Sequence, residues 1–245
     1  MSPLIYLVIL LTVFILVLIV SKKIFTDSKD KTIFIAVSLV GNTGNIGVPL
    51  GIALFGEQSV PYTSIINLAC TLYIYIFSVY FFAKDSFTIK KSIQSILKLP
   101  GIWVALFAIL INHFSIPIHK DISKVLEMGA YSSMVIQLMI FGIYLSEVKI
   151  KTMNWKLSLS LSIVKHIILP AVGILFILYS NIDAYVGAII LMQLMVPLAV
   201  NNVNLAALYN CKPHAVTASV LISTICFSLL LYFYIHLIRY FLGVL

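Results

Sequence analysis

The chain has 245 residues, of which 62% are hydrophobic and only 10% charged, and it carries a net charge of +8. Soluble domains hold about 25% charged residues, so the composition excludes a soluble enzyme or binding module and points to an integral membrane protein. Segments of alternating apolar and polar residues, the pattern of a membrane β-barrel, are absent, which leaves an all-α polytopic fold.

About eight transmembrane helices are predicted, over 3–20, 32–55, 61–83, 99–114, 125–147, 157–179, 185–209 and 214–238. Each lies near the roughly 20 residues that a bilayer-spanning helix requires. The first span has no basic residue before it and no Ala-x-Ala site, so it reads as a membrane helix stopped by Lys22 and Lys23 rather than a signal peptide.

The second span contains Gly41-Asn42-Thr43-Gly44-Asn45-Ile46-Gly47-Val48-Pro49-Leu50. Gly weakens a helix by about 1 kcal/mol and Pro by about 3, so an interrupted helix is predicted there. Gly41, Gly44 and Gly47 allow the backbone to unwind, and Pro49 breaks the helix by freeing the carbonyl of Asn45. Asn42, Thr43 and Asn45 then offer amide and hydroxyl groups at membrane depth. The competing reading is a small-residue packing seam, which calls for glycine spacing but not for adjacent Asn and Pro. Span 61–83 follows, and then the polar connection 84–98, read as a cytoplasmic loop suited to a short interfacial helix.

In span 157–179, Lys165 is the one charged residue well inside any span, roughly 13 Å deep by helical rise. It is either a functional cation or a side chain snorkelling to the interface. His166 points to another face and reads as a satisfied buried polar group. Span 185–209 holds a second interruption, Pro197 followed by Asn201, Asn202 and Asn204, with Gln193 one turn earlier. A proline kink re-bonded by the asparagines is the alternative there.

Charge placement sets the topology. If the connections alternate sides, Lys22, Lys23, Lys29, Lys31, Lys84, Lys90, Lys91, Lys98, Lys149, Lys151, Lys156 and Lys212 share one side, against Lys120, Lys124 and Arg239 on the other. By the positive-inside rule the lysine-rich connections are cytoplasmic, both termini lie outside, and the chain is a multi-pass protein of the cell membrane. The basic residues form no patch on a folded domain, which argues against a nucleic-acid partner. Carboxylates fall in connections or near span ends, and none is at the midplane, so the deep polar set of neutral amides plus one lysine favours an anionic substrate. Cys70, Cys211 and Cys226 form no motif. No metalloprotease, nucleophile-elbow or phosphate-loop pattern occurs, so neither enzyme chemistry nor a cofactor or metal is expected.

Ala53–Phe82 aligns with Ala207–His236 without a gap at an offset of 154 residues. The assigned topology makes the two copies run in opposite directions, the inverted arrangement of secondary transporters.

At "GNTGNIGVPLGIALFG" and "VPLAVNNVNLAALYN" the chain resembles the auxin efflux carrier family, and "LKLPGIWVALFAILI", "LMIFGIYLS" and "VKHIILPAVG" extend the resemblance over essentially its whole length. The resemblance implies two inverted five-helix repeats with crossing broken helices, similar to the bile-acid-transporter fold, and a secondary-active permease of small organic anions such as carboxylates or auxin-like acids. It maps residues 1–83 to family helices three to five, 84–98 to the loop and 99–245 to helices six to ten, an incomplete repeat lacking the first two helices. Substrate contacts are then expected from Asn42, Thr43, Asn45, Asn201 and Asn202, with Lys165 and Gln193 nearby and Pro49 and Pro197 breaking the helices at the crossing. A coupling proton or sodium ion and a homodimer are the remaining partner expectations. A truncated, non-transporting paralogue or accessory subunit is the second reading.

Overall fold

The computed structural model describes residues 2–83, 97, 100–149, 151 and 153–243, and the regular elements among them are all helical. The expected interfacial helix within 84–98 lies outside the described residues apart from Leu97. Helix α1 (Ser2–Ile24) is apolar on all sides and closes on Lys22 and Lys23, cations that suit a helix C-terminus. Helix α2 (Ser28–Val37) is capped by Asp27, whose carboxylate accepts the Asp30 N–H at 2.8 Å. A π turn, Thr43–Gly47, leads into α3 (Val48–Phe55). Gly56 then ends it at φ 79°, a conformation that a side chain would oppose.

Helix α4 (Val60–Tyr73) continues through a second π turn, Ile74–Ser78, into α5 (Val79–Phe82). Next come α6 (Pro100–His113) and α7 (Lys120–Ser146). Helix α8 (Trp155–Ile163), capped by Asn154, runs through a π turn, Val164–Ile168, into α9 (Leu169–Tyr179). Helix α10 (Ala184–Met195) is capped by Asp183, and α11 (Asn201–Leu208) and α12 (Pro213–Leu242) complete the chain.

Five stretches are long and apolar enough to cross a membrane: Pro3–Ile24, Glu57–Phe82, Lys120–Ser146, Trp155–Tyr179 and Pro213–Tyr240. The α2–α3 and α10–α11 pairs are interrupted, as expected for spans 32–55 and 185–209. The protein is therefore an all-α polytopic membrane protein. Helix α1 packs on α4 much as α8 packs on α12, and each interrupted pair lies in the chain between such partners. The buried core is concentrated on the interrupted helices, over Ile33–Val37 and Ala188–Val200. By contrast α6 and α7 turn Trp103, Phe107, Leu126, Val135 and Met139 outward, an apolar surface that a bilayer would cover.

Contacts draw the helix ends into two groups. At one end Lys212 Nζ reaches Asp27 at 2.9 Å and Asp30 at 2.7 Å, Asn154 donates to Asp30 at 2.8 Å, and Lys156 donates to the Ile24 carbonyl at 2.6 Å. At the other end Tyr185 packs edge-on against Phe55 and Tyr62. Hydrogen bonds from the Asp30 N–H and the Lys212 ammonium hold the Asp27 carboxyl below its usual range. Burial alone would lower the Lys212 ammonium, but its bonds to Asp30 and Asp27 outweigh that and hold it above its usual range.

Both shifts make the network stabilising where Asp27 is ionised and Lys212 protonated. Lys212→Ala is therefore expected to lower the thermal midpoint of the detergent-solubilised protein by a few degrees at neutral pH. The gap to wild type should close as pH falls through the depressed Asp27 value, and again as pH rises through the elevated Lys212 value. Thermal unfolding followed across pH checks this.

Candidate functional site

The two interruptions meet. Past Val37 the backbone leaves the helix until Thr43, and past Met195 it stays open to Asn201. Val196 sits at φ −55°, ψ 149°, the extended geometry imposed by a following proline. Gly41 and Leu198 pair as an isolated antiparallel bridge. The Asn42 N–H donates to the Pro197 carbonyl at 2.7 Å, and the Ala199 N–H donates to the Val40 carbonyl at 2.9 Å. Each break thereby satisfies backbone groups of the other, which a low-dielectric interior without water requires.

Pro49 does not make the first break, contrary to the sequence expectation. The helix opens at 38–42, and Pro49 is an exposed residue in the first turn of α3. It lies just past the π turn, in a helical run that is continuous from Thr43 to Phe55, since the Val48 N–H donates to the Gly44 carbonyl. Pro197, in contrast, lies within the second break and its carbonyl takes part in the crossing.

Lys165 projects to this crossing. It is fully buried, and its Nζ would be 2.7 Å from a Cβ built on Gly41, so only glycine leaves the ammonium its place. Snorkelling is excluded by that burial. Among the described residues Lys165 Nζ has no hydrogen-bond partner, and neither have the carboxamides of Gln193 and Asn202, both fully buried. A Cβ on Gly47 would collide with the Gln193 carboxamide, so the π turn and α10 approach each other through the missing side chain. Unpartnered buried polar groups are rare and costly in native proteins, and the Ser38 hydroxyl, in the first break, is a further one.

The other expected contacts are placed differently. Thr43 Oγ1 donates to Asn67 Oδ1 of α4 at 2.8 Å, and Gly44 lies against the same carboxamide. Asn45 Nδ2 donates to Gln137 Oε1 of α7 at 2.8 Å, so it ties the π turn to α7. Asn42 is buried at the crossing, while Asn201 and Asn204 are half-buried on α11. The Cys70 thiol faces the Gly41 carbonyl at 3.8 Å.

His166 belongs to a closed polar chain. The Leu198 N–H donates to Ser223 Oγ at 3.0 Å, and Ser223 Oγ lies 2.9 Å from His166 Nε2. His166 Nδ1 lies 3.1 Å from Tyr234 Oη, which donates to the His166 carbonyl at 3.1 Å. The Ser223 carbonyl also lies 2.9 Å from Nε2 and can only accept, so Nε2 carries the proton and Nδ1 faces the Tyr234 hydroxyl as an acceptor. The chain pins the Pro197 break to α12. Ser223→Ala leaves a buried N–H unsatisfied, a loss of about 1–3 kcal/mol. A lower thermal midpoint and a several-fold higher KM for uptake are expected, with Ser223→Thr restoring both.

Asn67, Gln137 and Ser223 were not singled out in the sequence. Asn67 carried a signal, an amide in the middle of span 61–83, whereas Ser223 is one hydroxyl among many in its span. Among the described residues no group of three or more His, Cys, Asp or Glu is placed to hold a metal ion. The sequence model of the membrane transport protein family matches residues 1–235. No curated protein and no solved structure matches the chain.

Proposed function

Because the chain belongs to the membrane transport protein family, a family of membrane transporters, we propose that it is a secondary-active permease of small organic anions, of the auxin efflux carrier type. The observation that carries this reading is the Lys165 ammonium, fully buried without a hydrogen-bond partner where two interrupted helices cross. A cation held there with no buried carboxylate among the described residues calls for an anion that comes and goes. The Gln193 and Asn202 carboxamides supply neutral donors and acceptors for the rest of the ligand, with Asn42, Thr43 and Asn201 bordering it.

Residues 1–83 and 99–245 act as inverted repeats that exchange access between the two faces. The equivalent packing of α1 on α4 and of α8 on α12 supports this. The lysine-rich end is cytoplasmic, both termini are outside and the membrane is the cell membrane, as the lysine distribution argues. Coupling to a proton or sodium gradient and assembly as a homodimer belong to the same reading. Uptake of a radiolabelled carboxylate into proteoliposomes tests it. Asn42→Ala, Asn201→Ala and Asn202→Ala should each abolish or sharply reduce uptake with unchanged expression, and full activity in all three would refute the site.

A further inference from the structure

The fixed charge at the crossing can be counted. Each break brings one helix C-terminus (α2 at Val37, α10 at Met195) and one helix N-terminus (at Thr43 and at Asn201) to the same place. A C-terminus carries about half a negative elementary charge and an N-terminus about half a positive one, so the four ends cancel. Part of each N-terminal turn is bonded locally. The Asn42 carbonyl accepts the Ile46 and Gly47 N–H groups, and the Asn202 and Val203 N–H groups go to Ala199 and Val200.

The side chains add one charge. Lys165 is the only buried lysine or arginine among the described residues, and Asn42, Thr43, Gln193, Asn202 and Asn67 are neutral. His166 is engaged on both ring nitrogens with Ser223 and Tyr234, on the side of α12. Cys70 faces the Gly41 carbonyl, and the ion pairs of Lys212 lie at the helix ends, with Asp27 at the N-cap and Asp30 in the first turn of α2.

We propose that the site takes singly charged organic anions and discriminates against doubly charged ones of the same length. Resting on the anion-transport reading above, the inference narrows the substrate to a monocarboxylate whose remainder is neutral and hydrogen-bonds to the Gln193 and Asn202 carboxamides. One carboxylate neutralises Lys165. A second would be buried with no fixed cation to meet it, which low-dielectric surroundings penalise heavily. The two carboxamides instead reward a neutral amide or hydroxyl, each of which answers a donor and an acceptor that now lack partners.

Succinamate and succinate separate the alternatives, since they share a length and differ by one charge at one end. Binding to the purified full chain at neutral pH, measured by calorimetry and by uptake into proteoliposomes, should favour succinamate by about tenfold or more. Gln193→Lys, which adds a second cation at the crossing, should reverse the order, with the folded state of the variant checked by its thermal midpoint. Equal or tighter binding of succinate by the wild-type chain overturns the monoanion inference and leaves the anion reading standing. Silence towards succinamate, succinate and phenylacetate alike overturns the anion reading, and this inference with it.

Discussion

Lys165→Met is expected to abolish anion transport while leaving the protein folded. Methionine fills nearly the same volume as the lysine stem, and it removes an ammonium that is fully buried without a hydrogen-bond partner. Removing an unpaired buried charge costs no interaction and relieves desolvation, so the thermal midpoint should hold or rise. The ligand loses its counterion: an ion pair at about 4 Å in a medium of effective dielectric constant near 20 is worth roughly 4 kcal/mol. That corresponds to about a thousandfold in affinity. Uptake at subsaturating substrate should therefore fall by about two to three orders of magnitude. Lys165→Arg should not rescue it, because the planar guanidinium is bulkier and Val196 and the Gly41 backbone bound the space around Nζ. Normal uptake by the methionine variant would show that the ammonium is not the substrate's partner.

The span pattern was legible because it follows from hydrophobic length alone, and each of the eight predicted spans has a helical element at its position. The interruptions were legible for a different reason: Gly, Asn and Pro in a lipid-length apolar run contradict helix formation. Where the first helix opens was not legible. Proline is the strongest breaker in the sequence, yet Pro49 lies within the helical run Thr43–Phe55, just past its π turn, and the opening at 38–42 falls mostly on ordinary residues, Ser38, Leu39 and Val40. What holds those residues open is the partner backbone 157 positions downstream, through the Gly41–Leu198 bridge, and a single-segment propensity carries no trace of it. The same limit hid the partners of Thr43 and Asn45. Their residue types announced polar roles, but pairing with Asn67 and Gln137 depends on how α4 and α7 are packed around the π turn. Lys165 was legible as deep, and its approach to Gly41 became visible only in three dimensions.

That approach makes Gly41→Ala the most incisive steric test. A Cβ at Gly41 would lie 2.7 Å from Lys165 Nζ, 3.3 Å from its Cε and 3.0 Å from Val196 Cγ2. The lysine end can withdraw, but Val196 is branched and sits in a break fixed by backbone hydrogen bonds on its neighbours. Overpacking of this kind costs typically 1–3 kcal/mol, so a lower thermal midpoint is expected together with a loss of uptake of about tenfold or more, because the ammonium is displaced from the crossing. Gly56→Ala is the control. Its Cβ meets nothing within 4 Å, but its φ of 79° is strained for alanine, so stability should fall without a change in substrate affinity. The decisive comparison is the double variant Gly41→Ala with Lys165→Ala. If the collision with the lysine end is what makes Gly41 necessary, shortening that side chain must remove most of the stability loss caused by the added methyl group. The two substitutions should then be strongly non-additive, as for residues in direct contact. Additive losses would mean that Val196 alone sets the requirement for glycine, and that the ammonium rests elsewhere in the working protein.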